Sequence, residues 1–129
     1  MSEYTLPSDA TLMILDDDAP FRTRLGRAME QRGFDVQTVE TVFEAKRAVR
    51  EKAPAFAVLD MRLEDGNGLD VIDQIHEARP DCKMVMLTGY GNLATAVSAV
   101  KRGAVDYLPN RSTPTEIAGR VRNYLATGS

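Results

Sequence analysis

Several carboxylates and one hydroxyl stand at places in this chain where a folded sheet would gather them. Asp60 follows the short apolar run Phe56-Ala57-Val58-Leu59, which has Pro54 before it and the turn-forming Asp65-Gly66-Asn67-Gly68 after it. A run of that length between such neighbours reads as a buried strand. A second apolar run, Leu12-Met13-Ile14-Leu15, ends in Asp16-Asp17-Asp18, and a third, Met84-Val85-Met86-Leu87, ends in Thr88-Gly89. Open α/β sheets hold their ligands at the carboxyl ends of their strands, so three such strands would bring these side chains into one pocket. Carboxylates that close repel one another and call for a cation. The pattern reads as a magnesium site beside a nucleophilic aspartate.

The elements that must position this pocket are visible in the periodicity. Residues 1–10 read as a loose leader, and Thr11–Leu15 as the first strand. From Ala19 to Arg32, Phe21, Leu25, Ala28 and Met29 recur at helical spacing, with Asp18 as N-cap, Pro20 in the first turn and Gly33 as the stop. Phe34 to Val39 alternates as a strand does. Thr41-Val42-Phe43-Glu44 is a capping box opening a helix whose buried face carries Val42, Ala45, Ala48 and Val49. The central strand, about Ala55–Leu59, follows. A helix from Gly68 to Arg79 presents Leu69, Ile72 and Ile75, with Pro80 beyond its end. Lys83–Leu87 is a strand. The next helix carries Leu93, Ala96, Val97 and Val100 and closes at Gly103, and Val105–Leu108 is a short last strand. Thr113-Pro114-Thr115-Glu116 starts a last helix with Ile117, Val121 and Leu125 on one stripe. Strands alternating with helices over short connections imply a parallel sheet with helices on both faces.

Composition narrows the function classes. With 129 residues, 43% of them hydrophobic, the chain is long enough for one domain with its own core. No apolar run approaches the roughly 18–20 residues of a membrane span. The polar start, Met1 to Asp9, has no signal-peptide core, which points to the cytoplasm. A net charge of −3 with scattered Lys and Arg gives no basic block for nucleic acid. Cys82 is the single cysteine, which excludes an internal disulfide and a multi-cysteine metal site; it reads as a free thiol in a loop. His76 has no partner histidine and reads as a surface residue.

Taken in order, the acidic pair, the aspartate after strand three, Thr88-Gly89 after strand four and Tyr107 in strand five resemble the receiver domain of two-component response regulators. The resemblance covers residues 10–126 and implies a flavodoxin-like (βα)5 three-layer sandwich, with a five-stranded parallel sheet in the order 2-1-3-4-5. Asp65-Gly66-Asn67-Gly68-Leu69-Asp70-Val71-Ile72 and Leu87-Thr88-Gly89-Tyr90-Gly91-Asn92 are similar to the wording of the RegA/ActR-type redox regulators. Those regulators carry a DNA-binding output domain after the receiver. Here residues 11–127 read as the receiver, with no output domain in this chain.

The resemblance assigns roles. Asp60 matches the phosphoacceptor, which takes a phosphoryl group from a phosphohistidine on a sensor histidine kinase. Asp17, Asp60 and the main-chain carbonyl of Arg62 match direct magnesium ligands, and Asp16 matches a ligand acting through water. Thr88 matches the switch hydroxyl, Gly89 offers its N–H to the phosphoryl group, and Tyr107 matches the switch aromatic. The implied activity is a signalling switch with a transcriptional output rather than an enzyme. It implies a homodimer through the fourth helix, fifth strand and last helix, and no nucleic-acid or membrane binding by this domain alone.

The chain departs from the pattern at Asn110-Arg111, where the family has a lysine and then a proline. Asparagine is shorter and neutral, and neighbouring side chains of extended chain point to opposite sides, so Arg111 does not replace the lysine. The expectation is a pocket that still binds metal and phosphate but switches weakly. The alternative is a docking or dimerising module that works without phosphorylation.

Overall fold

Among the described residues, five strands alternate with five helices: β1 Thr11–Leu15, α1 Ala19–Glu30, β2 Asp35–Val39, α2 Val42–Glu51, β3 Phe56–Asp60, α3 Gly68–Ala78, β4 Lys83–Thr88, α4 Leu93–Lys101, β5 Asp106–Pro109 and α5 Pro114–Ala126. The computed structural model describes residues 9–60, 68–88, 93–104, 106–109 and 112–126. The strands form one sheet in the order β2-β1-β3-β4-β5, with every neighbouring pair parallel, as the alternation of elements led us to expect.

Side chains of a strand alternate between faces, and here that alternation divides the core in two. Met13, Leu15, Ala57, Leu59, Met84 and Met86 face one side, against Val42, Ala45 and Val49 of α2, Val71, Ile72 and Ile75 of α3 and Ala99 of α4. Leu12, Ile14, Phe56, Val58, Val85 and Leu87 face the other, against Leu25 and Met29 of α1 and Ile117, Ala118 and Val121 of α5. Each large aliphatic side chain fully buried this way stabilises the fold by about 1.5–3 kcal/mol. Covered on both faces, β1 and β3 are continuous apolar runs, whereas the edge strand β2 is mostly exposed along Asp35, Gln37 and Thr38.

The helix ends follow local hydrogen bonding. Asp18 caps α1 by accepting from the Phe21 N–H at 3.1 Å. Gly33 ends that segment at a φ of 96°, a conformation that suits glycine. Thr113 and Glu116 form a reciprocal box at α5, with the Glu116 N–H donating to Thr113 Oγ1 at 3.1 Å and the Thr113 N–H to Glu116 Oε1 at 2.8 Å. At α2 the Glu44 N–H donates to Thr41 Oγ1 at 3.1 Å, but the Glu44 carboxylate accepts from Glu40, one residue earlier than a box requires.

Four local features differ from expectation. β3 begins and ends one residue later, so Asp60 lies inside the ladder, opposite Leu87. β5 also shifts by one and ends at Pro109, which an edge strand tolerates because the missing N–H breaks no ladder bond on its outer side. Two members of the stripe expected on α4, Val97 and Val100, are each 44% exposed, while Ala99 is buried. Cys82 is a free thiol in the connection before β4, as expected, but it is buried there, and burial pushes its thiol up to about 12. His76 is exposed, as expected. No helix of the described residues is long and apolar enough to cross a membrane.

Candidate functional site

Parallel pairing brings the first two strand ends together. Leu15 of β1 stands opposite Leu59 of β3, so the next residues, Asp16 and Asp60, emerge side by side. Asp17 follows at the mouth. One carboxylate oxygen from each of Asp16, Asp17 and Asp60 lies within 4.8 Å of the other two. Asp16 and Asp60 are only 5% exposed, whereas Asp17 is open to solvent.

Asp16 is held on three sides by backbone and side-chain partners. Its N–H donates to the Val39 carbonyl at 3.2 Å, tying β1 to the end of β2. Its Oδ1 accepts from the Asp18 N–H at 2.9 Å. Its carbonyl accepts from Arg22 Nη1 at 2.7 Å, a bond reaching back from the first turns of α1. Burial raises the Asp16 pKa above the ordinary carboxylate value, and the charges of Asp17 and Asp18 push the same way. The Asp18 N–H and the Arg22 charge oppose that rise without cancelling it. A buried carboxyl short of positive charge is a site prepared for a cation.

The donor set fits magnesium. That ion takes oxygen ligands at about 2.1 Å in octahedral geometry, which keeps ligand oxygens about 3–4 Å apart, and it retains several waters. Three carboxylate oxygens in one cluster, with an exposed mouth at Asp17, match an open, partly hydrated site of this kind.

The remaining sequence-predicted residues are distributed as follows. Thr88 ends β4, opposite Pro109 and one position beyond the Leu87 that pairs with Asp60. Tyr107 lies in β5 opposite Met86 and is 41% exposed. Arg62, Gly89 and Asn110, together with the Thr88 side chain, lie outside the described residues. Sequence reasoning passed over Arg22, whose signal was its place a turn into the helix that starts after the acidic triplet.

The model of the response regulator receiver domain matches residues 12–122. The photosynthetic apparatus regulatory protein RegA of Cereibacter sphaeroides is 52% identical over 114 residues, covering 88% of this chain and 62% of that protein. The acid tolerance regulatory protein ActR of Rhizobium meliloti is 51% identical over 109 residues, covering 84% of this chain and 56% of that protein. The chain thus spans less than two thirds of the length of either relative. A crystal structure of a response regulator protein from Burkholderia pseudomallei with a phosphorylated aspartic acid, calcium ion and citrate is similar at a TM-score of 0.78 and 30% identity, over 94% of this chain and 75% of that one. The sheet order, the matched model and these relatives agree: this chain belongs to the response regulator receiver domain family and is related to the RegA and ActR regulators.

Proposed function

We propose that this receiver domain accepts a phosphoryl group on Asp60 from a phosphohistidine of a sensor histidine kinase, and that the resulting change of surface regulates transcription. The observation that carries the reading is the cluster of Asp16, Asp17 and Asp60, with Asp60 buried at the strand end. The phosphorylated aspartic acid and the calcium ion of the Burkholderia pseudomallei protein support it by analogy.

A carboxylate oxygen of Asp60 attacks phosphorus; the phosphorus–nitrogen bond of the donor breaks, and its electron pair returns to the imidazole, which takes up a proton. An acyl phosphate on Asp60 is the product. Asp17, Asp60 and the Arg62 carbonyl would hold magnesium directly, and Asp16 would hold it through water. When bound, that ion supplies positive charge against the transferring phosphoryl group. The Thr88 hydroxyl and the Gly89 N–H would then contact the phosphoryl oxygens, and Tyr107 would follow Thr88 inward. Asn110 gives this switch no cation, so the shift toward the active arrangement is partial.

The half-exposed Val97, Val100 and Tyr107 support the α4–β5 side as the surface that changes partners or pairs two copies. Nucleic-acid binding would fall to an output domain, since this chain is net negative, and the setting would be the cytoplasm. The same exposed side also favours a second reading, a docking module that needs no phosphorylation.

Incubation with acetyl phosphate and magnesium separates the two. Intact mass should rise by about 80 Da, one phosphoryl group, and Asp60→Asn should remove that gain. A protein that gains no mass would rule out the phosphoacceptor and leave the docking module.

A further inference from the structure

Charge at the carboxyl end of the sheet does not balance within the acidic cluster itself. With a divalent ion present, the three carboxylates leave the pocket about one charge negative. Replacing the Asp60 charge by a phosphoryl group of nearly two negative charges makes it more negative still. Asn110 is neutral. We propose that Arg22 is a charge-balancing residue of this pocket, favouring the phosphorylated state from the α1 side; the proposal rests on Asp60 being the phosphoacceptor.

Arg22 is placed for that task. Its Nη1 donates to the Asp16 carbonyl at 2.7 Å, which pins the guanidinium at the root of the buried acidic residue. A guanidinium has five donors in one plane, so this single bond leaves most of its donors uncommitted. Arg22 takes no part in the ion pairs made by Lys46, Arg47, Arg79 and Arg102. Arg22 also lines an open cleft of about 330 Å³ between α1 and β2, which it shares with Thr23, Arg27, Thr38 and the acidic Glu30. Arg27 lies more than one turn farther along α1, away from Asp16, and supplies a control.

A fixed positive charge here has two effects of opposite sign. It repels magnesium from the unphosphorylated pocket, and it stabilises the added negative charge after transfer. A residue that merely braces the fold would weaken both states together. The test uses the whole chain and the variants Arg22→Gln, Arg22→Met, Arg22→Lys and Arg27→Gln. Magnesium affinity is measured by NMR titration, and affinity for beryllofluoride, a phosphoryl mimic, at saturating magnesium. Two neutral variants are made so that a folding defect in one does not decide the result. Neutralising Arg22 should tighten magnesium about threefold and weaken beryllofluoride about fivefold, the order expected of one unit charge at this range near a protein surface. Arg22→Lys and Arg27→Gln should each stay within about twofold of the unsubstituted protein. Equal weakening of both ligands, or no change in either, overturns the proposal. An unsubstituted protein that forms no beryllofluoride adduct overturns the phosphoacceptor reading and this one with it. An adduct indifferent to Arg22 overturns this one alone.

Discussion

Asp9 and Asp16 flank β1, seven positions apart in sequence and at opposite ends of the sheet. At the amino end, Asp9 Oδ1 accepts from both the N–H and the hydroxyl of Thr11, at 3.1 and 2.7 Å, while Oδ2 accepts from Arg79 Nη1 at 2.7 Å. Arg79 in turn donates to the Ala53 carbonyl at 3.2 Å and approaches Asp81 at 3.5 Å. The Thr11 hydroxyl and then Arg79 hold the Asp9 carboxyl well below the usual carboxylate range. At the carboxyl end, burial moves Asp16 the other way. A carboxylate whose charge is met by its neighbours ties segments of chain together. One whose charge is left unmet invites something from outside.

The largest expected effect lies at the unmet end. Asp16→Asn combined with Asp17→Asn should weaken magnesium by more than about tenfold, because two of the three acidic donors are lost, while Arg79→Ala should leave that affinity within about twofold. Isothermal titration of the three proteins checks this, and a magnesium affinity that follows Arg79 would dissolve the distinction between the two ends.

The next effect lies at the satisfied end. Arg79→Ala should lower stability by about 2 kcal/mol in urea denaturation at neutral pH, since it removes a charge-assisted bond to Asp9 and a donor to Ala53. A loss within about 0.5 kcal/mol, the range of an unremarkable surface change, would show that the pair holds nothing.

The smallest effect is a pair of opposite signs in metal-free buffer. Asp9 has a depressed folded pKa, so its contribution exists above the unfolded value of about 3.9 and fades as pH falls toward its folded value. Asp16 has a raised folded pKa, so its contribution is full below about pH 4 and is lost as pH rises through the folded value. Asp9→Asn should therefore destabilise by about 1 kcal/mol at pH 7, and Asp16→Asn should stabilise by about the same amount. Both differences should shrink as the solution is acidified below pH 4. Thermal unfolding from pH 7 to pH 3 tests the signs, and two substitutions of the same sign at pH 7 would defeat the comparison.

The two ends also differ in how far sequence reasoning reached them. The acidic cluster could be read because each member sits at the end of an apolar run, and period-2 packing makes such runs visible. The caps at Asp18, Thr41 and Thr113 could be read because their partners lie within three residues. Asp9 and Ala10 were read as the end of a leader, yet Asp9 grips Arg79 and the Ala10 carbonyl accepts from the Asp35 N–H at 3.0 Å. Nothing local marks a bond between residues so remote. The burial of Cys82 and the outward turn of Val97 and Val100 were missed for a related reason. Which face of a short helix or connection is covered depends on the neighbours that tertiary packing supplies.

The bond between Asp9 and Arg79 joins residues 70 positions apart. Closing so long a stretch of chain is entropically unfavourable until the intervening strands and helices have already gathered. If the pair closes only after the rate-limiting step, as contacts at low-φ positions do, it contributes little to how fast the chain folds. Its loss appears instead in the escape rate from the native state. In chevron kinetics, Arg79→Ala would leave the refolding arm nearly in place and lift the unfolding arm, making this salt link a determinant of the molecule's lifetime.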